Sequence, residues 1–119
     1  MDEKIQALVE EHGFERPCRA LLRHLVKADP AMLLNLCRDR LLKDHLLTFA
    51  AEYLGGVEGS TEVVVGLLNH PSALVREGAL LGLPEDTPEV REVVALKVLT
   101  ETSPAVKELM SEYLEWNDV

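Results

Sequence analysis

The chain has 119 residues, of which 47% are hydrophobic and 28% charged, and its formal net charge is −9. It contains no run of about 18 apolar residues, which excludes an ordinary transmembrane helix. The acidic balance argues against direct binding to nucleic acid, because clustered Lys and Arg supply most of that affinity. The first residues do not read as a secretory signal, so we expect a single cytoplasmic domain, 1–119, that binds neither nucleic acid nor membrane.

Eight helices are predicted in chain order, and they pair into four hairpins. The first hairpin, 1–28, is a weak N-terminal cap whose two helices are separated at Gly13. The second, 29–55, opens at Asp29-Pro30, and its first helix is predicted to run to about Leu42. Its second helix stops at Gly55-Gly56, which predicts the loosest joint of the chain at 55–59.

The third and fourth hairpins occupy 60–83 and 87–116. Ser60 and Ser72 precede the two helices of the third hairpin, where their hydroxyl groups are expected to cap the first turn. Thr87-Pro88 and Ser103-Pro104 are hydroxyl-proline starts of the same kind for the fourth hairpin. Because convincing strand signals are lacking, the sequence predicts an all-α fold.

The second helices of the last three hairpins share an apolar stripe. In each of them the apolar residues recur at i, i+4 and i+8, which keeps one side of the helix turned toward its neighbours. The aligned sets are Leu46, Ala50 and Leu54; Val75, Ala79 and Leu83; and Val106, Met110 and Leu114.

The middle set and its preceding turn carry a family pattern. Pro71, Val75, Arg76, Ala79 and Leu83 match in order a helix-turn-helix unit whose turn often reads D-P-x-x-x-V-R and whose second helix reads A-x-x-x-L. The chain therefore resembles the HEAT-repeat family. The resemblance implies a short right-handed α-solenoid of about four hairpins, in which the second helices line a concave surface.

A candidate partner surface lies one or two positions before the residues of the buried stripe. Two leucines flanked by glutamates suit a partner segment with one or two apolar residues and several Lys or Arg. We expect a protein or peptide of basic character to bind there. The nine residues are His45, Thr48, Glu52, Leu74, Glu77, Leu81, Ala105, Glu108 and Glu112.

The chain also carries a second charged feature, which we call the basic stripe. It consists of Arg16, Arg19, Arg23 and Lys27, whose spacing aligns them along one side of the helix over 16–28. It is either a solvated face or a docking site for phosphate or an acidic peptide. Residues 1–58 hold eight Lys/Arg against ten Asp/Glu, a net of −2, whereas 59–119 hold four against eleven, a net of −7.

No catalytic constellation is found in the sequence. The four histidines are dispersed, and the pairs that build zinc or iron sites are missing, so no metal, cofactor or catalytic residue is predicted. Cys18 and Cys37 are predicted as small core residues, and Gly78-x-x-x-Gly82 as a close helix contact. The sequence predicts a non-catalytic binding scaffold. A lyase-like or pigment-binding accessory protein and an acidic inhibitor that imitates nucleic acid are the alternatives.

Overall fold

The computed structural model describes residues 15–84 and 87–117, with the side chains of 19–84 and 87–115. Within these ranges the chain forms α-helices and no strand, which confirms the all-α prediction there. The helix predicted before Gly13 and the side chains of Arg16, Cys18 and Trp116 lie outside this description. The helices are α1 (Glu15–Ala28), α2 (Pro30–Arg38), α3 (Asp44–Tyr53), α4 (Thr61–Leu67), α5 (Ala73–Leu81), α6 (Pro88–Val98) and α7 (Pro104–Asn117).

Three helices begin as their sequences predict, and in α7 the Ser103 hydroxyl accepts from the Val106 N–H at 3.4 Å. The Asp29 carboxylate accepts a hydrogen bond from the Met32 N–H at 3.2 Å, and Pro30 begins α2. In the same way the Thr87 hydroxyl accepts from the Val90 N–H at 3.2 Å at the start of α6. Each polar side chain satisfies one backbone donor that the first helical turn leaves free.

Ser60 and Ser72 precede α4 and α5, but their hydroxyl groups do not cap these helices. The Ser60 hydroxyl donates instead to the Leu54 carbonyl at 2.7 Å, and Ser60 is fully buried. Together with buried Val57, this bond anchors the segment predicted to be the loosest joint. At the start of α5 the Ser72 N–H donates to His70 Nδ1 at 3.0 Å.

Helix α2 ends earlier than predicted, at Arg38 rather than near Leu42. Arg40 adopts the left-handed conformation, with φ 51°. The Arg40 N–H donates to the Cys37 carbonyl at 3.3 Å, and the Leu41 N–H donates to the Leu36 carbonyl at 3.1 Å. This is the usual hydrogen-bond pattern of a helix C-terminus, and an arginine stands where glycine is favoured. The sequence therefore contains no glycine that would indicate the end of α2 at this position.

Four helices pack in succession: α1 on α3, α3 on α5, and α5 on α7. The remaining helices join this row as hairpin partners, since α2 contacts α3, α4 contacts α5, and α6 contacts α7. The predicted apolar stripe lies in the core: Leu46, Ala50, Leu54, Val75, Ala79, Val106 and Met110 are buried, whereas Leu83 and Leu114 are partly buried. The molecule measures 42 × 27 × 21 Å.

Helices α3 and α5 meet through their backbones. A methyl group on Gly78 would overlap the carbonyl of Thr48, and one on Gly82 would overlap the carbonyl of Ala51. The absence of a side chain at both positions lets the two helices approach more closely than residues with a Cβ would permit. The close contact predicted from the Gly78 and Gly82 spacing is confirmed.

None of the helices in the described part of the chain combines the length and apolar character needed to cross a bilayer.

Candidate functional site

A groove of about 280 Å³ runs between α3 and α5. Helix α3 contributes residues three or four positions apart, and α5 does the same, so each helix presents one face to the groove. The lining residues are His45, Thr48, Phe49, Glu52, Leu74, Glu77, Gly78 and Leu81. Six of the nine residues predicted as the partner surface are therefore brought together in one groove.

The two leucines of the groove are not packed into the helix stack. Leu74 is 58% exposed and Leu81 is 55% exposed, although both lie on a helix whose opposite face is buried. Gly78 lies one turn after Leu74 and provides a floor without a side chain, against the backbone of Thr48. The groove thus has a backbone floor, and its α5 side carries two exposed leucines.

Two carboxylates accompany this apolar surface. Glu77 lies between the two leucines on α5, and Glu52 faces the groove from α3; both are half-buried. No Lys or Arg is among the residues that line the groove. A bound basic side chain would therefore meet negative charge next to an apolar contact, without a lining Lys or Arg to repel it.

The other three predicted surface residues belong to α7 and do not line this groove. Ala105, Glu108 and Glu112 are all exposed. Their exposure agrees with the register, since Val106 and Met110 beside them are buried. They lie on the helix that follows α5 in the row.

The basic stripe on α1 lies partly against α3. The Arg19 guanidinium stands 4.2 Å from the centre of the Phe49 ring, and its Nε donates to the Tyr53 hydroxyl at 2.9 Å. Arg23 lies 5.5 Å from the centre of the Tyr53 ring, and Lys27 is exposed. Arg19 is therefore engaged in holding α1 on α3, rather than standing free on a solvated face.

A polar cluster fixes the turns at one end of α5. Arg76 donates two hydrogen bonds of 2.8 Å to the two carboxylate oxygens of Glu101, and two more to the carbonyls of His70 and Pro71. The Glu101 side chain is 3% exposed and that of Arg76 is 13% exposed. Hydrogen bonds from Arg76 hold the pKa of Glu101 below its usual range, although burial acts in the opposite direction.

His70 completes this cluster. Its Nδ1 accepts the Ser72 N–H, and its Nε2 lies 3.7 Å from the Asp44 carboxylate. Burial lowers the pKa of His70, and the positive charges of Arg40 and Arg76 act in the same direction, whereas Asp44 opposes them. In this arrangement Nδ1 of His70 carries no proton and accepts from the backbone.

Phe49, Gly78 and Glu101 were not predicted as residues of these sites. Phe49 follows His45 by four positions and Gly78 follows Leu74 by four, so helical spacing could have placed both in the groove. Glu101 had no such signal. It lies 25 residues after its partner Arg76, and only the folded chain brings the two together.

The described residues include no group of three or more His, Cys, Asp or Glu positioned to hold a metal ion. Cys37 is a free thiol in the core, as predicted, and burial raises its pKa to about 12. A thiol with so high a pKa is a poor nucleophile, because the thiolate is the reactive form.

Comparisons with protein-family models, with curated proteins and with solved structures found no match to this chain.

Proposed function

We propose that this protein is a non-catalytic interaction module that holds a segment of another protein in the groove between α3 and α5. The observation that carries the proposal is the exposure of Leu74 and Leu81, by more than half, along one groove. Apolar side chains grouped in a concave surface gain free energy when a partner covers them. Both leucines lie on a helix, so their backbone needs no ordering on binding.

The scaffold we propose for this groove is a short right-handed α-solenoid of HEAT-like hairpins. Its support is the order of packing, in which α1, α3, α5 and α7 contact one another in succession and each later member has its own hairpin partner. In such a stack the successive second helices form one continuous surface. The groove and the acidic residues of α7 belong to that surface.

The chemistry of the groove defines the partner. A volume of about 280 Å³ is just below the range of about 300–1,000 Å³ that small-molecule sites occupy, and it suits one or two anchoring side chains. Glu52 and Glu77 favour a segment in which Lys or Arg flanks an apolar anchor. The bound segment is therefore short and basic, with a bulky apolar residue at its centre.

Selection from a random peptide display library tests this proposal. We expect the wild-type protein to enrich peptides that combine one bulky apolar residue with nearby Lys or Arg. The variant Leu74→Ser, Leu81→Ser should lose them, because it removes the apolar contact without altering the core. The matched control is Leu96→Ser, Leu99→Ser, which removes two leucines that are 61% and 76% exposed on and just after α6.

Two results would refute the groove as the binding site. One is that no peptide of this composition is enriched over several rounds. The other is that enriched peptides bind the Leu74 and Leu81 variant as tightly as the wild type. If the selected peptides bind the groove variant but not the α6 control variant, the binding site lies on α6.

The acidic rim gives an independent test with any selected peptide. Association should slow as salt rises from about 50 to 500 mM, over which the screening length falls below about 5 Å. The variant Glu52→Gln, Glu77→Gln should show a weaker dependence on salt, since it lacks the charges that steer the encounter. An association rate that does not respond to salt in the wild type would show that the glutamates take no part.

A further inference from the structure

A second cavity, of about 390 Å³, lies between α2 and α4 and shares no residue with the groove. Leu34, Val63 and Leu67 form the apolar part of its lining. Gly59 and Gly66 also line it, and a methyl group on either would meet no atom within 4 Å. The two glycines therefore leave the space between the helices open instead of filling it.

Two arginines line the same cavity. Arg38 contacts Asp39, with 3.8 Å between Nε and Oδ1, and it donates to the side chain of Asn35. Arg40 forms no ion pair with any residue that the structure describes. Glu62 is the one carboxylate among the lining residues. Two arginines and one carboxylate therefore line this cavity, in a chain whose net charge is −9.

The backbone of Arg40 gives a separate reason to look for a role of its side chain. With φ 51°, Arg40 occupies the left-handed region at the end of α2, where glycine is the least strained residue. The fold would be served better by glycine at this position. The arginine instead adds a cation at the cavity.

We propose that this cavity binds a small amphiphile with one anionic head group, a carboxylate or a phosphate, on an apolar tail. Arg40 and Arg38 would hold the head group, because guanidinium groups bind these anions through paired hydrogen bonds. Leu34, Val63 and Leu67 would contact the tail. Cys37, which also lines the cavity, is a neutral thiol and places no negative charge against the anion.

Titration of the full chain with defined probes, followed by amide NMR and calorimetry, tests the site. Octanoate and octyl phosphate carry the two head groups on the same tail, and the tighter of the two identifies the preferred one. Octylamine has the same tail with the opposite charge, and acetate has the head without the tail. We expect octanoate or octyl phosphate to shift the amides of 37–41 and 62–67, and octylamine and acetate to bind at least tenfold more weakly.

Arg40→Gly is the decisive variant, since glycine suits the left-handed backbone and should leave the melting temperature unchanged or raise it. We expect it to weaken binding of the anionic probe by about tenfold, the effect of losing a hydrogen bond to a charged group. Arg40→Asn, which also tolerates this conformation, should do the same. Glu62→Gln should strengthen binding, and Lys107→Gln, which removes an exposed charge on α7, should not change it.

Three outcomes would overturn the proposal. The first is that neither anionic probe shifts the lining amides at millimolar concentration. The second is that octylamine binds as tightly as the anions. The third is that folded Arg40→Gly binds the anion as tightly as the wild type. None of these results bears on the groove between α3 and α5, which is tested with peptides.

Discussion

Arg76 joins three parts of the chain through one guanidinium group. It contacts the turn before its own helix at His70 and Pro71, and it contacts Glu101 in the turn before α7. Because the Glu101 side chain is almost fully buried, neither charge is well hydrated without the other. The pair therefore fixes how the last hairpin sits on the one before it.

Removal of one partner should be costly. We expect Arg76→Ala to lower the free energy of unfolding by about 3–5 kcal/mol, because it leaves the Glu101 carboxylate buried without a cation. Urea unfolding followed by circular dichroism at pH 7 measures this loss. The double variant Arg76→Leu, Glu101→Leu serves as the control and should lose less, since it buries no unpaired charge. A loss below about 1 kcal/mol in Arg76→Ala would mean that solvent reaches the pair freely.

His70 should make stability depend on pH in mildly acidic solution. Its pKa in the folded chain is lowered, so below the unfolded value of about 6.5 the unfolded chain binds more protons than the folded one. Stability should therefore fall as pH drops from about 6.5 toward the lower folded pKa. His70→Asn removes this titration while keeping a side-chain acceptor for the Ser72 N–H.

The measurement is the difference in unfolding free energy between wild type and His70→Asn from pH 7.5 to 5. The wild type should lose stability relative to the variant as the pH falls. A constant difference, or one that grows in favour of the wild type, would contradict a neutral, buried His70. Glu101 acts in a separate window below about 4.5, because its folded pKa is also lowered and its contribution is lost on protonation.

At the scale of the helices, the contact of α3 with α5 depends on glycine. Gly78→Ala would place a methyl group on the Thr48 carbonyl, so the helices must separate. We expect a loss of about 1–3 kcal/mol, as for other overpacked contacts. Gly66→Ala is a matched control, because Gly66 also lies inside a helix but faces open space; it should stabilise the protein by about 0.5–1 kcal/mol.

Thermal and urea unfolding of both variants test this contrast. Equal effects of the two substitutions would show that helix propensity, rather than backbone contact, decides the outcome. A stabilised Gly78→Ala variant would place α5 farther from α3 than the structure does.

Much of the helical pattern was predictable because its signals are local. The starts at Asp29-Pro30 and Thr87-Pro88 and the buried stripe around Ala79 follow from capping and spacing alone. The end of α2 was not predictable, because Arg40 occupies a conformation that its side chain disfavours. The sequence predicts that the Ser60 hydroxyl caps a helix, but the hydroxyl donates instead to the Leu54 carbonyl, six residues earlier.

The groove was predictable in part for the same reason. Leu74, Glu77 and Leu81 lie on one helix face, so their register with the buried stripe places them together. The packing of the helices determines which neighbour completes the groove. That neighbour is α3, so Ala105 on α7 lies outside the groove. The pairing of Arg76 with Glu101 joins distant turns and leaves no periodic trace in the sequence.

For the whole molecule, the contact of α3 with α5 spans the glycine-containing segment 55–59, so the two halves of the described chain share one core. We expect a single cooperative unfolding transition. Far-UV circular dichroism, which reports all helices, should coincide with the fluorescence of Trp116, the only tryptophan. Ala79→Glu, in the same core, should remove the transition altogether or lower its midpoint strongly. Two separate transitions in the wild type would show that the halves unfold independently.

The backbone contact at Gly78 and Gly82 has a consequence for how recognition can change. Since the backbone contacts at Gly78 and Gly82 set the distance between α3 and α5, the width of the groove does not depend on the other residues that line its walls. His45, Leu74 and Leu81 can then be exchanged without disturbing the helices that carry them. The side chains that line the groove determine binding specificity, whereas the backbone contact at Gly78 and Gly82 determines how the helices pack. Single substitutions in the groove can therefore change the binding preference while the packing of α3 on α5 stays the same.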